Sequence, residues 1–158
     1  MLKINDFGLS REMDMNYEYI TSANRALPLK WLPLEIWEPN PSDFRIYTKK
    51  VDIWSFAILV WEIFERGKDF YEGLSRSALY NFLKTNHRLK QPQNCPDELY
   101  NIMLSCWDEN YKKRPSFDFL QENIMRINQE IQMHKPKMLD IPITFEYSNG
   151  YEYPRQSS

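Results

Sequence analysis

Thr48-Lys49-Lys50-Val51-Asp52-Ile53-Trp54-Ser55-Phe56-Ala57-Ile58-Leu59-Val60-Trp61-Glu62-Ile63-Phe64-Glu65-Arg66-Gly67 is the stretch on which the fold turns. It predicts one long helix over Thr48–Arg66. Thr48 or Asp52 can cap its start, and Gly67 follows at the place that favours a left-handed stop. Its apolar residues are Val51, Ile53, Trp54, Phe56, Ala57, Ile58, Leu59, Val60, Trp61, Ile63 and Phe64. They occupy nearly every face, so the helix is expected to be buried on most sides rather than amphipathic.

Working outward, three more helices follow. Ser75–Lys84 is one. Pro96–Trp107 carries Leu99, Ile102, Met103 and Cys106 on a single face, at helical spacing. Ser116–Gln132 is led by Pro115 and carries Phe117, Leu120, Ile124, Ile127 and Ile131. On the N-terminal side Leu32–Trp37 makes a short helix, ended by Glu38-Pro39-Asn40-Pro41. Residues 9–30 are polar and lack helical periodicity, so they are expected as a loop, and Leu2-Lys3-Ile4 as a strand stub. Residues 135–158 lose all periodicity and mix tyrosines with acids, Gly and Pro; a flexible tail is expected there. The fold class is mainly α, with residues 1–134 as the folded part.

Composition narrows the function classes. A chain of 158 residues, 42% hydrophobic and 15% aromatic, has enough apolar material for one core. A net charge of −2 leaves no basic footprint, so no nucleic-acid partner is expected. Cys95 and Cys106 lack metal-site spacing, and no secretory leader is evident, so reduced thiols in a cytoplasmic setting are expected. No apolar run approaches the roughly 20 residues of a membrane span; if the parent protein is membrane-anchored, the anchor is expected outside this chain. His87 and His134 stand among polar residues and read as solvated surface side chains.

Five short motifs follow one another in order. They are Asp6-Phe7-Gly8; Leu27-Pro28-Leu29-Lys30-Trp31-Leu32-Pro33-Leu34-Glu35; Asp52-Ile53-Trp54-Ser55-Phe56; Cys106-Trp107; and Lys113-Arg114-Pro115-Ser116-Phe117. Asp6-Phe7-Gly8 alone is a strand end and a glycine turn; the four that follow change its weight. Together, over roughly residues 2–131, the set resembles the C-terminal half of a protein tyrosine kinase domain of the receptor type. The resemblance implies a kinase C-lobe-like helical subdomain, truncated relative to the full kinase fold.

It also implies roles, residue by residue. Asp6 would be a magnesium ligand, with Phe7 setting its orientation and Gly8 the turn; ATP and Mg are the cofactors of the intact family. Residues 9–26 would be an activation loop, with Tyr17 and Tyr19 as phosphorylation sites and Arg11 or Arg25 as local partners for a phosphate. Against this stands the plainer reading of two solvent-facing loop tyrosines. Leu27, Pro28, Leu29, Lys30 and Trp31 would form the wall on which a protein substrate lies beyond its target tyrosine. Glu35 and Arg114 would make a buried bidentate pair. Asp52 would accept hydrogen bonds from the family's catalytic loop; without that partner it should be solvated or protonated.

The sequence departs from the family at several points. Ala-Pro before the glutamate reads Pro33-Leu34, the glycine of the long helix reads Ala57, and two turn prolines read Phe70 and Glu72. The segment Trp37–Lys49 is also a few residues longer than in related kinases.

Two readings from different classes follow. In the first, the chain is part of a tyrosine kinase. Its catalytic residues proper are absent from these 158 residues: no Gly-rich loop, no ATP-binding lysine and no catalytic aspartate precede Asp6. Alone it is expected to bind no ATP and to be inactive. In the second, it is a non-catalytic, pseudokinase-like docking module with phosphorylatable tyrosines. Either reading adds Tyr147, whose Tyr147-Ser148-Asn149 has the form adaptor SH2 domains resemble one another in preferring; a spacer tail that merely contains tyrosines is the alternative.

Overall fold

The computed structural model describes Phe7 and residues 10–16, 18–22, 27–37, 44–134, 145–148 and 151–154. The expected strand stub at Leu2–Ile4 lies outside the described residues. In chain order the elements are β1 (Glu18–Ser22), α1 (Leu34–Trp37), β2 (Phe44–Thr48), α2 (Lys49–Phe64), α3 (Arg76–Lys84), α4 (Asp97–Cys106), α5 (Phe117–His134), β3 (Phe145–Ser148) and β4 (Tyr151–Pro154). The body is mainly α, as the sequence predicts.

Local chemistry sets the helix ends. Of the two candidate caps for α2, Thr48 takes the position and accepts from the Lys50 N–H at 3.2 Å. At the other end Arg66 and Gly67 both adopt positive φ, 56° and 75°. The Gly67 N–H reaches back to Glu62 O at 2.8 Å and the Arg66 N–H to Ile63 O at 3.2 Å, which closes the helix with a Schellman motif. Ser75 caps α3, and Ser116 Oγ accepts from the Phe119 N–H at the head of α5. Pro33 stands just before α1, where a missing N–H costs no helical bond. The shifted proline is accommodated for that reason.

The core gathers on one side of α2. Ile53, Trp54, Ala57, Ile58 and Trp61 pack with Leu79 and Leu83 of α3, Ile102, Met103 and Cys106 of α4, and Leu120 of α5. This corrects the expectation for α2. Leu59 and Ile63 are 51% and 66% exposed, so the helix has one solvent-facing stripe despite apolar residues all round. The physical reason is simple: the partner elements α3 and α4 lie to one side only, and sequence pattern cannot say which apolar face lacks a neighbour.

The expectation of a loop over 9–30 also needs correction. Glu18–Ser22 is a strand, paired antiparallel to Phe44–Thr48 with Tyr19 opposite Tyr47 and Thr21 opposite Arg45. Tyr, Ile and Thr suit a pleated ribbon, but the partner that makes them one is some 25 residues away and leaves no local periodicity.

The chain divides into a unit of residues 1–127 and one of residues 128–158. Within the second, β3 and β4 pair antiparallel with Tyr147 opposite Glu152 and Ser148 opposite Tyr151, in a stretch where no regular structure is expected from sequence. Cys95 and Cys106 are free and buried, and burial pushes the Cys106 thiol up to about 12. His87 sits against Phe82 and shares a hydrogen bond with Thr85 Oγ1, which leaves it a local structural residue.

Candidate substrate-binding and regulatory site

The segment Leu27–Trp31 is a wall bolted to the helical body. Pro28 offers no N–H, and its carbonyl accepts from the Trp31 N–H at 3.0 Å to start a tight 3-10 turn over Leu29–Trp31. Three bonds hold that turn from behind. Ser55 Oγ of α2 donates to Trp31 O at 2.9 Å, the Trp31 indole N–H donates to Glu62 at 3.1 Å, and Lys30 Nζ meets Asp69 at 2.9 Å. Phe70, in place of a turn proline, is buried with its ring 4.9 Å from that of Trp31, in a T-shaped contact, and 6.2 Å from that of Trp61. Lys30 Nζ lies 5.9 Å from the same ring. The front of the wall keeps Pro28 exposed and Leu27 and Leu29 half-buried, a short apolar ledge.

Leu27 and Pro28 of the ledge also help to line a cavity of about 440 Å³, of which β1 and β2 close one side. Tyr19, Arg45, Tyr47 and Asp52 line it, together with Arg11. Arg45 is only 8% exposed and donates from Nε to Ile36 O at 2.8 Å. Arg45 was not singled out by sequence reasoning: a lone arginine in a short strand has no signal until the strand has a partner.

Glu35 and Arg114, 79 positions apart in the chain, meet as a bidentate pair, Nη1 to Oε1 at 2.6 Å and Nη2 to Oε2 at 3.0 Å. Arg114 also donates from Nε to Asp108 O and from Nη1 to Lys50 O, and its guanidinium lies 5.1 Å from the Trp54 ring. Arg88 covers that ring at the same distance and donates to Trp107 O and Leu83 O. Trp54 therefore stacks with two guanidiniums, a role that sequence pattern did not reveal for Arg88.

The remaining sequence candidates fall as follows. Asp6, Gly8, Tyr17 and Arg25 lie outside the described residues. Phe7 is exposed. Tyr19 is half-buried in β1, its ring 6.1 Å from that of Tyr47. Tyr147 stands in β3. Asp52 is exposed at the cavity rim with no hydrogen-bond partner among the described residues, and partial enclosure raises its carboxyl above the ordinary 3.8.

The sign of that shift gives a prediction. Folded Asp52 holds its proton to higher pH than the unfolded chain does, so this group's contribution falls as pH rises from 3.8 through the raised value. Asp52→Asn is expected to raise the neutral-pH Tm by about 1–3 °C, small because water screens the site. The gain should vanish in acid. Thermal melts across the acid-to-neutral range check this; an identical gain at every pH would count against it.

Compared with known proteins, residues 1–124 match the family model described as protein tyrosine and serine/threonine kinase. The chain belongs to the protein tyrosine and serine/threonine kinase family. It is 37% identical to fibroblast growth factor receptor 1 of Pleurodeles waltl over 158 residues, all of this chain and 19% of that protein. It is 39% identical to the myoblast growth factor receptor egl-15 of Caenorhabditis elegans over 136 residues, 84% of this chain and 13% of that protein. It is 39% identical to the fibroblast growth factor receptor of Hydra vulgaris over 127 residues, 80% of this chain and 15% of that protein. The chain thus spans less than a fifth of the length of these relatives. It is the part of a receptor-like tyrosine kinase domain from Asp-Phe-Gly onward. Among the described residues of this kinase segment, no helix is long and apolar enough to cross a membrane.

Proposed function

We propose that residues 1–134 are the substrate-binding and scaffold part of a tyrosine kinase domain, working on the cytoplasmic side of a receptor, with residues 135–158 as a tyrosine-bearing tail. The reaction it would serve is phosphoryl transfer from Mg-ATP to the hydroxyl of a protein tyrosine. One observation supports this reading: the Leu27–Trp31 ledge is held by Ser55, Glu62 and Asp69, while Pro28 stays exposed and Leu27 and Leu29 half-buried. A substrate chain lying along Pro28 would gain apolar contact and a fixed distance to its target hydroxyl. A phenol reaches deeper than a serine hydroxyl, so a fixed ledge of this kind selects for tyrosine.

Asp6 is the residue assigned to magnesium, and the ion would neutralise charge on the transferring phosphoryl group. Among the described residues no three or more His, Cys, Asp or Glu come together, so they form no metal site of their own. The lysine, the catalytic aspartate and the Gly-rich loop of the family are not among these 158 residues. Residues 1–158 alone are therefore expected to give only background transfer to a poly-Glu-Tyr substrate and to bind no ATP. Turnover that survives rigorous purification and is lost in Asp6→Asn would contradict this.

The docking-module reading draws on Tyr147. Phosphorylated, it would offer a dianion to the arginine of an SH2 pocket, with Asn149 two residues on. A phosphorylated 143–153 peptide is expected to bind an adaptor SH2 domain about tenfold or more tighter than its Asn149→Ala form, by analogy with the loss of a buried hydrogen-bond partner. Equal affinities in calorimetry would remove Asn149 from the account.

A further inference from the structure

The hairpin β3–β4 sorts the tyrosines of the tail by what each one stands against. Its register sets Tyr147 opposite Glu152 and Tyr153 opposite Glu146, whereas Tyr151 stands opposite Ser148. Residues directly opposed in an antiparallel pair are the nearest neighbours across the strands, and opposed like charges weaken the pairing. Tyrosine is neutral at neutral pH, so in the unmodified chain neither glutamate is opposed by a charge. A phosphate changes that at two of the three positions. It adds roughly 1.5 to 2 negative charges, directly across from an acid at 147 or 153 and from a neutral hydroxyl residue at 151.

The hairpin has little stability with which to absorb such repulsion. β3 and β4 form a sheet of two strands, and two strands alone are marginal in water. We propose that this hairpin is a phosphorylation-sensitive clasp: phosphate on Tyr147 or Tyr153 opens it, and phosphate on Tyr151 leaves it closed. The proposal rests on the reading of residues 135–158 as a tyrosine-bearing tail. It goes further by giving the three tyrosines different consequences. The closed form pairs Tyr147 and Ser148 with Glu152 and Tyr151. A partner that takes a phosphotyrosine together with the residues after it needs that stretch unpaired. Phosphate on Tyr147 would supply the dianion and also release the stretch that carries it. Phosphate on Tyr153 would release the same stretch without marking it.

The test uses the full chain, made semisynthetically with phosphotyrosine at 147, 151 or 153, one position at a time. Cross-strand proton contacts between residues 145–148 and 151–154 are read by NMR at neutral pH, where the phosphate is mostly a dianion. Phosphate at 147 or 153 is expected to lower the closed-to-open ratio about two- to fivefold, the range for one opposed like-charge pair. Phosphate at 151 should leave the ratio as it is in the unmodified chain. Glu152→Gln should abolish the fall caused by phosphate at 147 and spare the one caused at 153; Glu146→Gln should do the reverse. An unchanged ratio with phosphate at 147 overturns the proposal, as does equal opening by phosphate at 151. A fall at 147 that survives Glu152→Gln overturns it too, as does an unmodified chain without cross-strand contacts. Because synthesis places the phosphate, none of these outcomes depends on which kinase modifies the tail or which domain reads it. The calorimetric titration of the 143–153 peptide decides the SH2 reading separately.

Discussion

Glu35→Ala is expected to lower the unfolding free energy by about 3–5 kcal/mol, a large part of the roughly 5–15 kcal/mol that holds a domain together. The loss comes less from the pair than from what remains. The side chain of Arg114 is 0% exposed, and its guanidinium would keep a buried charge with only carbonyls and the Trp54 ring for company. Arg114→Lys should cost nearly as much, since an ammonium cannot reproduce a fork that serves Glu35, Asp108 and Lys50 at once. The double variant Glu35→Leu with Arg114→Met should recover part of the loss, because it removes both charges. Urea unfolding midpoints measure all three. For contrast, Lys30→Ala breaks a pair with Asp69 that is half in water, so it should cost about 1 kcal/mol or less. A Glu35→Ala chain as stable as the Lys30→Ala chain would show that the pair of buried Arg114 with the half-buried Glu35 is not the anchor described.

Phe70→Ala is expected to cost about 3–5 kcal/mol, the range for an aromatic removed from a core. It should also act on the ledge. Phe70 touches Trp31 on one side and Trp61 and Tyr71 on the other, so its removal unlocks the turn that presents Pro28. Faster proteolysis between Leu27 and Trp31, under conditions where the helical body remains folded, is the signature. Phe70→Leu should keep much of the stability but lose the edge contact to Trp31, which is worth about 1 kcal/mol. Equal protease sensitivity in wild type and Phe70→Ala would disconnect Phe70 from the ledge.

Much of this was legible in the chain because it is written locally. Thr48, Ser75 and Gly67 mark helix ends by chemistry that acts within one turn, and the structure uses each of them there. Glu35 and Arg114 were legible as partners only through the kinase resemblance; nothing local links residues so far apart. What stayed hidden depends on distant neighbours. β1 is a strand because β2 pairs with it, and Arg45, opposite Thr21 in that register, lines the cavity. Leu59 and Ile63 looked buried because apolar pattern records hydrophobicity, not the direction of the core. The pairing of β3 with β4 leaves Asn149 and Gly150 between the strands, and Asn-Gly between alternating residues is a strong short-range hairpin signal. The expectation of a flexible tail over residues 135–158 rests on lost periodicity and makes no use of that signal.

The central claim is that this chain supplies the substrate-binding part of a tyrosine kinase. Its most direct test is a chimera in which residues 6–158 follow the N-terminal part of a fibroblast growth factor receptor kinase, joined just before Asp6. The account predicts Mg-ATP-dependent phosphate on tyrosine of poly-Glu-Tyr, none on serine or threonine, and loss of that activity in Asp6→Asn. A folded, monodisperse chimera that binds ATP and yet transfers no phosphate to tyrosine would contradict it.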